Sequence, residues 1–188
     1  MTHVTHTIQR AKPFIRLGAE RIRGAVDGGR ALDVGCCEGR HVLFLASIGI
    51  SALGIDMDAE AITVARQRAK EQGLDKLAHF EVADITQGFD GSFGAVVCTE
   101  VMQDISPGQW SNVFDTMRSV TPRGGIHLVS GYVNEYVNGT GRRAFVPGQL
   151  DGNYREADWN IVVSQTDATT FGQYGAVTSL ARVIAQRP

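Results

Sequence analysis

The residues with the most chemistry in them lie between Ala31 and His41, which read Ala-Leu-Asp-Val-Gly-Cys-Cys-Glu-Gly-Arg-His. A short apolar run ends around the acid Asp33, a turn bounded by Gly35 and Gly39 follows, and a helix-like segment begins at Arg40. This is the layout of a nucleotide-type cofactor loop at the carboxyl end of a first parallel strand. Glycines at 35 and 39 let the backbone approach a ligand without side-chain interference. Asp56 falls about twenty residues past the loop, where a carboxylate can accept both ribose hydroxyls. Asp84 follows a third apolar run and can accept an adenine amino group. The spacing is not Gly-x-Gly-x-x-Gly, and Asp33 beside the glycines would repel a diphosphate. An acid there suits a ligand with a positive centre or an ammonium group.

Further polar residues follow later runs. Thr99, Glu100 and Val101 come after the fourth, and Glu100 and Asp104 stand where an acceptor site would open; ordinary loop acids are the competing account. Tyr132, Asn134 and Tyr136 follow the fifth, either lining an acceptor pocket or covering a sheet edge. Cys36, Cys37 and Cys98 read as small buried residues rather than metal ligands, since no Cys-x-x-Cys pattern exists. His41 reads as a core or cap residue, and Arg142-Arg143 as a solvated turn that could also attract an anionic acceptor.

These residues need elements to position them. Thr7 to Val26 has helical apolar spacing, with Pro13 bending or restarting it and Asp27-Gly28-Gly29 stopping it. Strands are expected at Ala31–Gly35, Ser51–Ile55, Ala78–Val82, Phe93–Cys98 and Ile126–Ser130. Helices are expected at Arg40–Ile48, Ala59–Gln72 and Pro107–Val120. Such alternation implies right-handed crossovers and a parallel sheet covered on both faces. Gly131 to Gly152 is rich in Gly, Asn and aromatics, and Trp159–Gln165 and Gly175–Gln186 read as two more strands of the same sheet.

At 188 residues the chain suits one domain, about 30–130 forming a cofactor half and about 131–188 supplying acceptor-side elements. The apolar and charged fractions, 43% and 20%, fit a soluble globular protein. A net charge of −2 offers no basic field for nucleic acid. No apolar stretch is long enough to cross a bilayer, no signal peptide is visible, and the cysteines make no disulfide framework. A reducing cytoplasm is the expected compartment, and a monomer or homodimer the expected state.

Four stretches in order and register resemble class I S-adenosylmethionine-dependent methyltransferases. Leu32–Arg40 resembles the first motif, Gly54-Ile55-Asp56-Met57-Asp58 the acidic second motif, and Val82-Ala83-Asp84-Ile85 the adenine-contacting motif. Pro122-Arg123-Gly124-Gly125 resembles the turn before strand five. The tail is most similar to the tellurite-resistance TehB-type family, through Phe145-Val-Pro-Gly-Gln-Leu150, Tyr154 and Trp159. Two departures stand out. Cys37 replaces the usual middle glycine, and Arg182 in the final strand is out of register with that family's substrate-handling arginines.

The resemblance implies a Rossmann-like α/β fold with a seven-stranded, mostly parallel sheet, helices on both faces and an antiparallel last strand. It implies methyl transfer from S-adenosylmethionine to a small-molecule acceptor, leaving S-adenosylhomocysteine. The implied cofactor contacts are Asp33, Gly35, Cys36, Cys37, Gly39, Arg40, Asp56, Met57, Ala83, Asp84, Ile85, Thr99 and Val101, with Arg40 on the methionine carboxylate. Glu100, Tyr132, Asn134 and Tyr136 are the expected acceptor contacts, and no metal is expected. The alternatives are a nucleotide- or NAD-dependent oxidoreductase and a non-catalytic cofactor-binding module.

Overall fold

The apolar runs and amphipathic segments become the elements their periods dictate. In the computed structural model, which describes residues 10–133, 144–171 and 176–188, the elements run as follows. They are α1 (Pro13–Val26), β1 (Ala31–Val34), α2 (Arg40–Ser47), β2 (Ala52–Asp56), α3 (Ala59–Glu71), β3 (Ala78–Val82), β4 (Ala95–Thr99), α4 (Trp110–Ser119), β5 (Ile126–Val133), α5 (Gln149–Arg155), β6 (Asn160–Phe171) and β7 (Ala176–Gln186). Short 3₁₀ turns occupy Ile85–Gln87, Met102–Asp104 and Pro107–Gln109.

The strands form one sheet in the order β3-β2-β1-β4-β5-β7-β6. The first five in that order run parallel, and β7 lies antiparallel to both β5 and β6. The expected architecture is borne out, including the reversed final strand. The chain steps outward from β1 to β2 to β3, then returns to place β4 on the other side of β1. At such a reversal the connections leave in opposite directions, so a crevice opens above the carboxyl ends of β1 and β4.

Strand alternation divides the core into two layers. On one face Ala31, Val97 and Leu128 pack against Ile15 and Ile22 of α1, Val42 and Leu45 of α2, and Ile62 of α3. On the other, Leu32, Val34, Val96 and Val129 meet Val113, Phe114 and Met117 of α4 and Leu150 and Tyr154 of α5. Ile15 and Ile22 are fully buried, and each such side chain stabilises the fold by about 1.5–3 kcal/mol over its exposed form. That anchorage fixes the first turn of α1 above the sheet, next to the crevice.

Strands β5 and β6 run further than expected, to Val133 and Phe171, and three other differences have clear physical reasons. The described helix begins at Pro13, in the first helical turn, where the missing N–H is not needed. The helix expected from Pro107 starts as a 3₁₀ turn and becomes α-helical only at Trp110, whose indole donates to the Met102 and Ile105 carbonyls. The short α5 was not anticipated. It begins after Gly148 in the left-handed region and is held by the burial of Leu150 and Tyr154 rather than by propensity.

Behind α5 the Tyr154 hydroxyl lies 3.0 Å from His127 Nδ1, Thr121 Oγ1 lies 2.9 Å from Nε2, and Trp159 covers the ring at 4.3 Å. Burial, helped by the Arg118 charge, pushes His127 down to about 3, so the imidazole is neutral. Phe145, Leu150, Tyr154 and Trp159, which carried the resemblance in the tail, are therefore buried packing residues.

Candidate cofactor and acceptor site

The loop after β1 is shaped by two glycines. Gly35 (φ +66°) ends the strand, and a Cβ there would lie 2.4 Å from a Val101 methyl. Gly39 (φ +81°) caps α2, and a Cβ there would lie 2.6 Å from the Phe80 ring. Between them Cys37, where a glycine is usual, keeps the left-handed backbone at φ +51°. The strain of a side chain in that region is of order 1 kcal/mol. A charged hydrogen bond offsets it: Cys37 N–H donates to Asp56 Oδ2 at 2.8 Å, and Asp58 N–H donates to Oδ1 at 3.0 Å. The acid ending β2 thus holds the loop ending β1. Each oxygen keeps lone pairs for a further donor.

Above the strand ends lies a cleft of about 620 Å³. Gly35, Cys37 and Arg40 come to it from the loop, Asp56 and Met57 from β2, and Ala83, Asp84 and Ile85 from the β3 end. Thr99, Glu100 and Val101 come from β4. Met57 is 75% exposed at the lip, an apolar surface open to a flat ligand. Asp84 caps the Ile85–Gln87 turn, accepting from the Thr86 hydroxyl and amide. The hydroxyl bond, then the amide bond, holds its carboxyl below the ordinary value. Its Oδ2 meets only a long 3.4 Å contact from Gln87.

Three expected contacts, Asp33, Cys36 and Gly39, lie behind the cleft wall. Asp33 is 1% exposed on the α2 side of β1, with Oδ1 3.4 Å from His41 Nδ1, while its Oδ2 and His41 Nε2 have no partner among the described residues. Cys36 is buried, its thiol aimed at the Cys37 carbonyl; burial, then the Asp33 charge, pushes that thiol far up. Gly39 is covered by Phe80. His41 sits in the core side of α2, as a core residue should. Asn134, Tyr136, Arg142 and Arg143 lie outside the described residues.

At the β4 end the backbone itself is unusual. Glu100 adopts φ +57°, fixed because its N–H donates to the Ser130 carbonyl at 2.8 Å and its carbonyl accepts from the Gln103 amide. Its carboxylate pairs with Lys12 Nζ, at the start of α1, and accepts from the Tyr132 hydroxyl at 3.1 Å. Burial opposes charge on Glu100, but Lys12 and Tyr132 outweigh it and hold the carboxyl below its ordinary value. Burial also lowers Lys12, more than Glu100 raises it. Sequence reasoning missed Lys12 and Gln103. Lys12 carries no local motif, and only the docking of α1 on the sheet brings it to Glu100.

Comparison with known proteins bears on the family and the fold. Residues 31–125 match the family model described as "Methyltransferase domain". The 2-heptyl-1-hydroxyquinolin-4(1H)-one methyltransferase of Mycobacteroides abscessus is 42% identical over 71 residues, 37% of this chain and 31% of that protein. A ubiquinone biosynthesis O-methyltransferase of Alkalilimnicola ehrlichii is 32% identical over 112 residues, 59% of this chain and 44% of that one. The chain thus spans less than half the length of these relatives. Among solved structures, TehB from Haemophilus influenzae superimposes with a TM-score of 0.77 at 17% identity, covering 90% of this chain and 62% of that one. Magnesium protoporphyrin IX methyltransferase from Synechocystis PCC 6803 gives 0.70 at 17% identity, covering 96% and 90%. Fold, motif order and the family match converge, and the chain belongs to the methyltransferase domain family.

Proposed function

We propose that the protein transfers a methyl group in line from S-adenosylmethionine to a small-molecule acceptor. The observation that carries this reading is the convergence on one cleft of the glycine loop, Asp56 and Asp84, from the ends of three adjacent strands. The residues present fit that ligand. Asp56 has free lone pairs for two ribose hydroxyls, and Asp84 Oδ2 for an exocyclic amine. Met57 and Ile85 supply apolar cover. Arg40 suits the methionine carboxylate, and the unpartnered Asp33 Oδ2 behind the loop favours a cationic or ammonium-bearing end. The same acid disfavours a diphosphate, and with it NAD.

The bound substrate supplies an electrophilic methyl group on a positively charged sulfur. The protein's part is alignment and exclusion of water, which can supply much of the rate. Because that positive charge disperses as the methyl moves, no oxyanion hole is required. Among the described residues no group of three His, Cys, Asp or Glu side chains could hold a metal, and no helix is long and apolar enough to cross a membrane. The relatives' names, a hydroxyquinolinone methyltransferase and an O-methyltransferase of ubiquinone biosynthesis, support a small-molecule acceptor here.

The test is transfer of label from methyl-labelled S-adenosylmethionine across phenols, amines, thiols, alcohols and chalcogen oxyanions. Labelled product from one of these classes is expected. Tight binding of S-adenosylhomocysteine with no labelled product from any class would instead favour a non-catalytic module.

A further inference from the structure

The Lys12–Glu100–Tyr132 cluster has features that packing alone does not explain. An ammonium and a carboxylate with side chains only 19% and 23% exposed are paired here, the carboxylate at the cleft wall, and desolvating such a pair can cost more than their attraction stabilises. The acid also sits on a left-handed backbone that a glycine would adopt without strain. Two buried polar atoms beside it lack partners among the described residues. Gln103 Oε1 belongs to the side chain that fixes the Glu100 carbonyl, and Ser130 Oγ to the residue that accepts the Glu100 amide. By strand alternation Ser130 shares its face of β5 with Tyr132. Strain, a desolvated charge and unsatisfied polar atoms thus coincide at one wall of the cleft.

We propose that Glu100 is the catalytic base for an acidic O–H acceptor such as a phenol or enol, with Lys12 and Tyr132 as positioning residues. The proposal rests on the methyltransferase reading. A carboxylate offers about four lone-pair positions, so the Lys12 and Tyr132 contacts leave room for an acceptor proton. As an acceptor oxygen lone pair forms the O–C bond, the C–S bond breaks and its electron pair stays on sulfur. The O–H proton passes to Glu100 and then to solvent. The groups facing Glu100 are Lys12 from α1, Tyr132 from β5 and Arg40 from α2, while Asp33 from β1 acts on Lys12; Asp104 lines the same cleft. A carboxylate paired with an ammonium and accepting a tyrosine hydroxyl is too weak a base for an aliphatic alcohol. It suits an O–H that is already acidic, whose developing negative charge the buried Lys12 ammonium favours from a distance, across Glu100, rather than by contact.

The test compares wild type with Glu100→Gln, Glu100→Asp and Lys12→Met, using catechol, 4-nitrocatechol, benzyl alcohol and benzylamine. S-adenosylhomocysteine affinity is measured by calorimetry as the control for folding and for the underlying reading. Wild type should turn over the phenols at least about tenfold faster than the alcohol or the amine. Glu100→Gln should lose about 10²-fold in kcat, with KM and S-adenosylhomocysteine affinity within about threefold, and Glu100→Asp should recover part of the loss. Removing Lys12 leaves burial dominant, so Lys12→Met should move the acid limb of kcat to higher pH. Bound 4-nitrocatechol should absorb as phenolate at a lower pH in wild type than in Lys12→Met.

The proposal is overturned if wild type binds S-adenosylhomocysteine but turns over none of the phenols, or if Glu100→Gln keeps kcat within threefold. An unmoved acid limb in Lys12→Met would overturn it as well. Failure of wild type to bind S-adenosylhomocysteine would sink the methyltransferase reading itself.

Discussion

Replacing Asp56 with alanine separates a ligand-binding carboxylate from a merely structural one. In the free protein it accepts one amide hydrogen at each oxygen, from Cys37 and from Asp58. Hydrogen bonds to a charged group contribute about 1.5–3 kcal/mol each. The low end applies here, because Asp56 is only partly buried and solvent weakens both bonds. Losing the two loop bonds should therefore cost about 3 kcal/mol of stability at most, leaving a folded protein with a loosened loop. Losing two ribose bonds should cost about 3 kcal/mol of affinity, and at about 1.4 kcal/mol per tenfold that is roughly 10²-fold in Kd. Asp56→Asn, which keeps one acceptor but not the charge, should fall between. Calorimetric titration with S-adenosylhomocysteine gives the affinities, and chemical denaturation the stabilities. A folded Asp56→Ala protein that binds within threefold of wild type would refute the placement of the ribose.

Two further predictions follow from the thiols and from the buried histidine. Cys36 and Cys98 are buried and Cys37 is exposed at the cleft, and burial pushes Cys98 up to about 12. Iodoacetamide should therefore label Cys37 first under native conditions, with S-adenosylhomocysteine protecting it; equal labelling with and without ligand would place the thiol outside the site. His127 sits at about 3 in the folded protein against 6.5 when unfolded, so its contribution is complete above pH 6.5 and is lost as pH falls toward 3. By linkage it should cost about 2 kcal/mol between pH 7 and pH 5, a loss that His127→Gln should abolish in denaturation curves. An unchanged pH dependence in that variant would contradict the neutral, buried imidazole.

Much of the cofactor half was legible because its signals are local. A strand, a glycine-bounded turn and an acid at the right distance lie close in sequence, and parallel pairing of β1, β2 and β3 brings their ends together. Cys37 was also recognisable as a departure, and the structure supplies its physical content: a left-handed residue tied to Asp56. Asp33 reads from the sequence as a contact to the methionine end, directly or through water, and strand alternation places it under the loop beside His41. The acceptor side was less legible. Lys12 reaches Glu100 only through the docking of α1, and the strain at Glu100 depends on Ser130 and Gln103. Tertiary packing, not any run of residues, assembles that wall. The tail's aromatic pattern was visible too, but its side chains fill the core around His127.

We propose that the cleft above β1 and β4 is built for a sulfonium nucleoside rather than a dinucleotide. Parallel calorimetric titrations of the pure protein with S-adenosylhomocysteine and with NAD distinguish the two. Saturable one-to-one binding of S-adenosylhomocysteine, weakened by Asp56→Ala, is expected, with no measurable heat from NAD at the same concentrations. Tight NAD binding with no response to S-adenosylhomocysteine would contradict it.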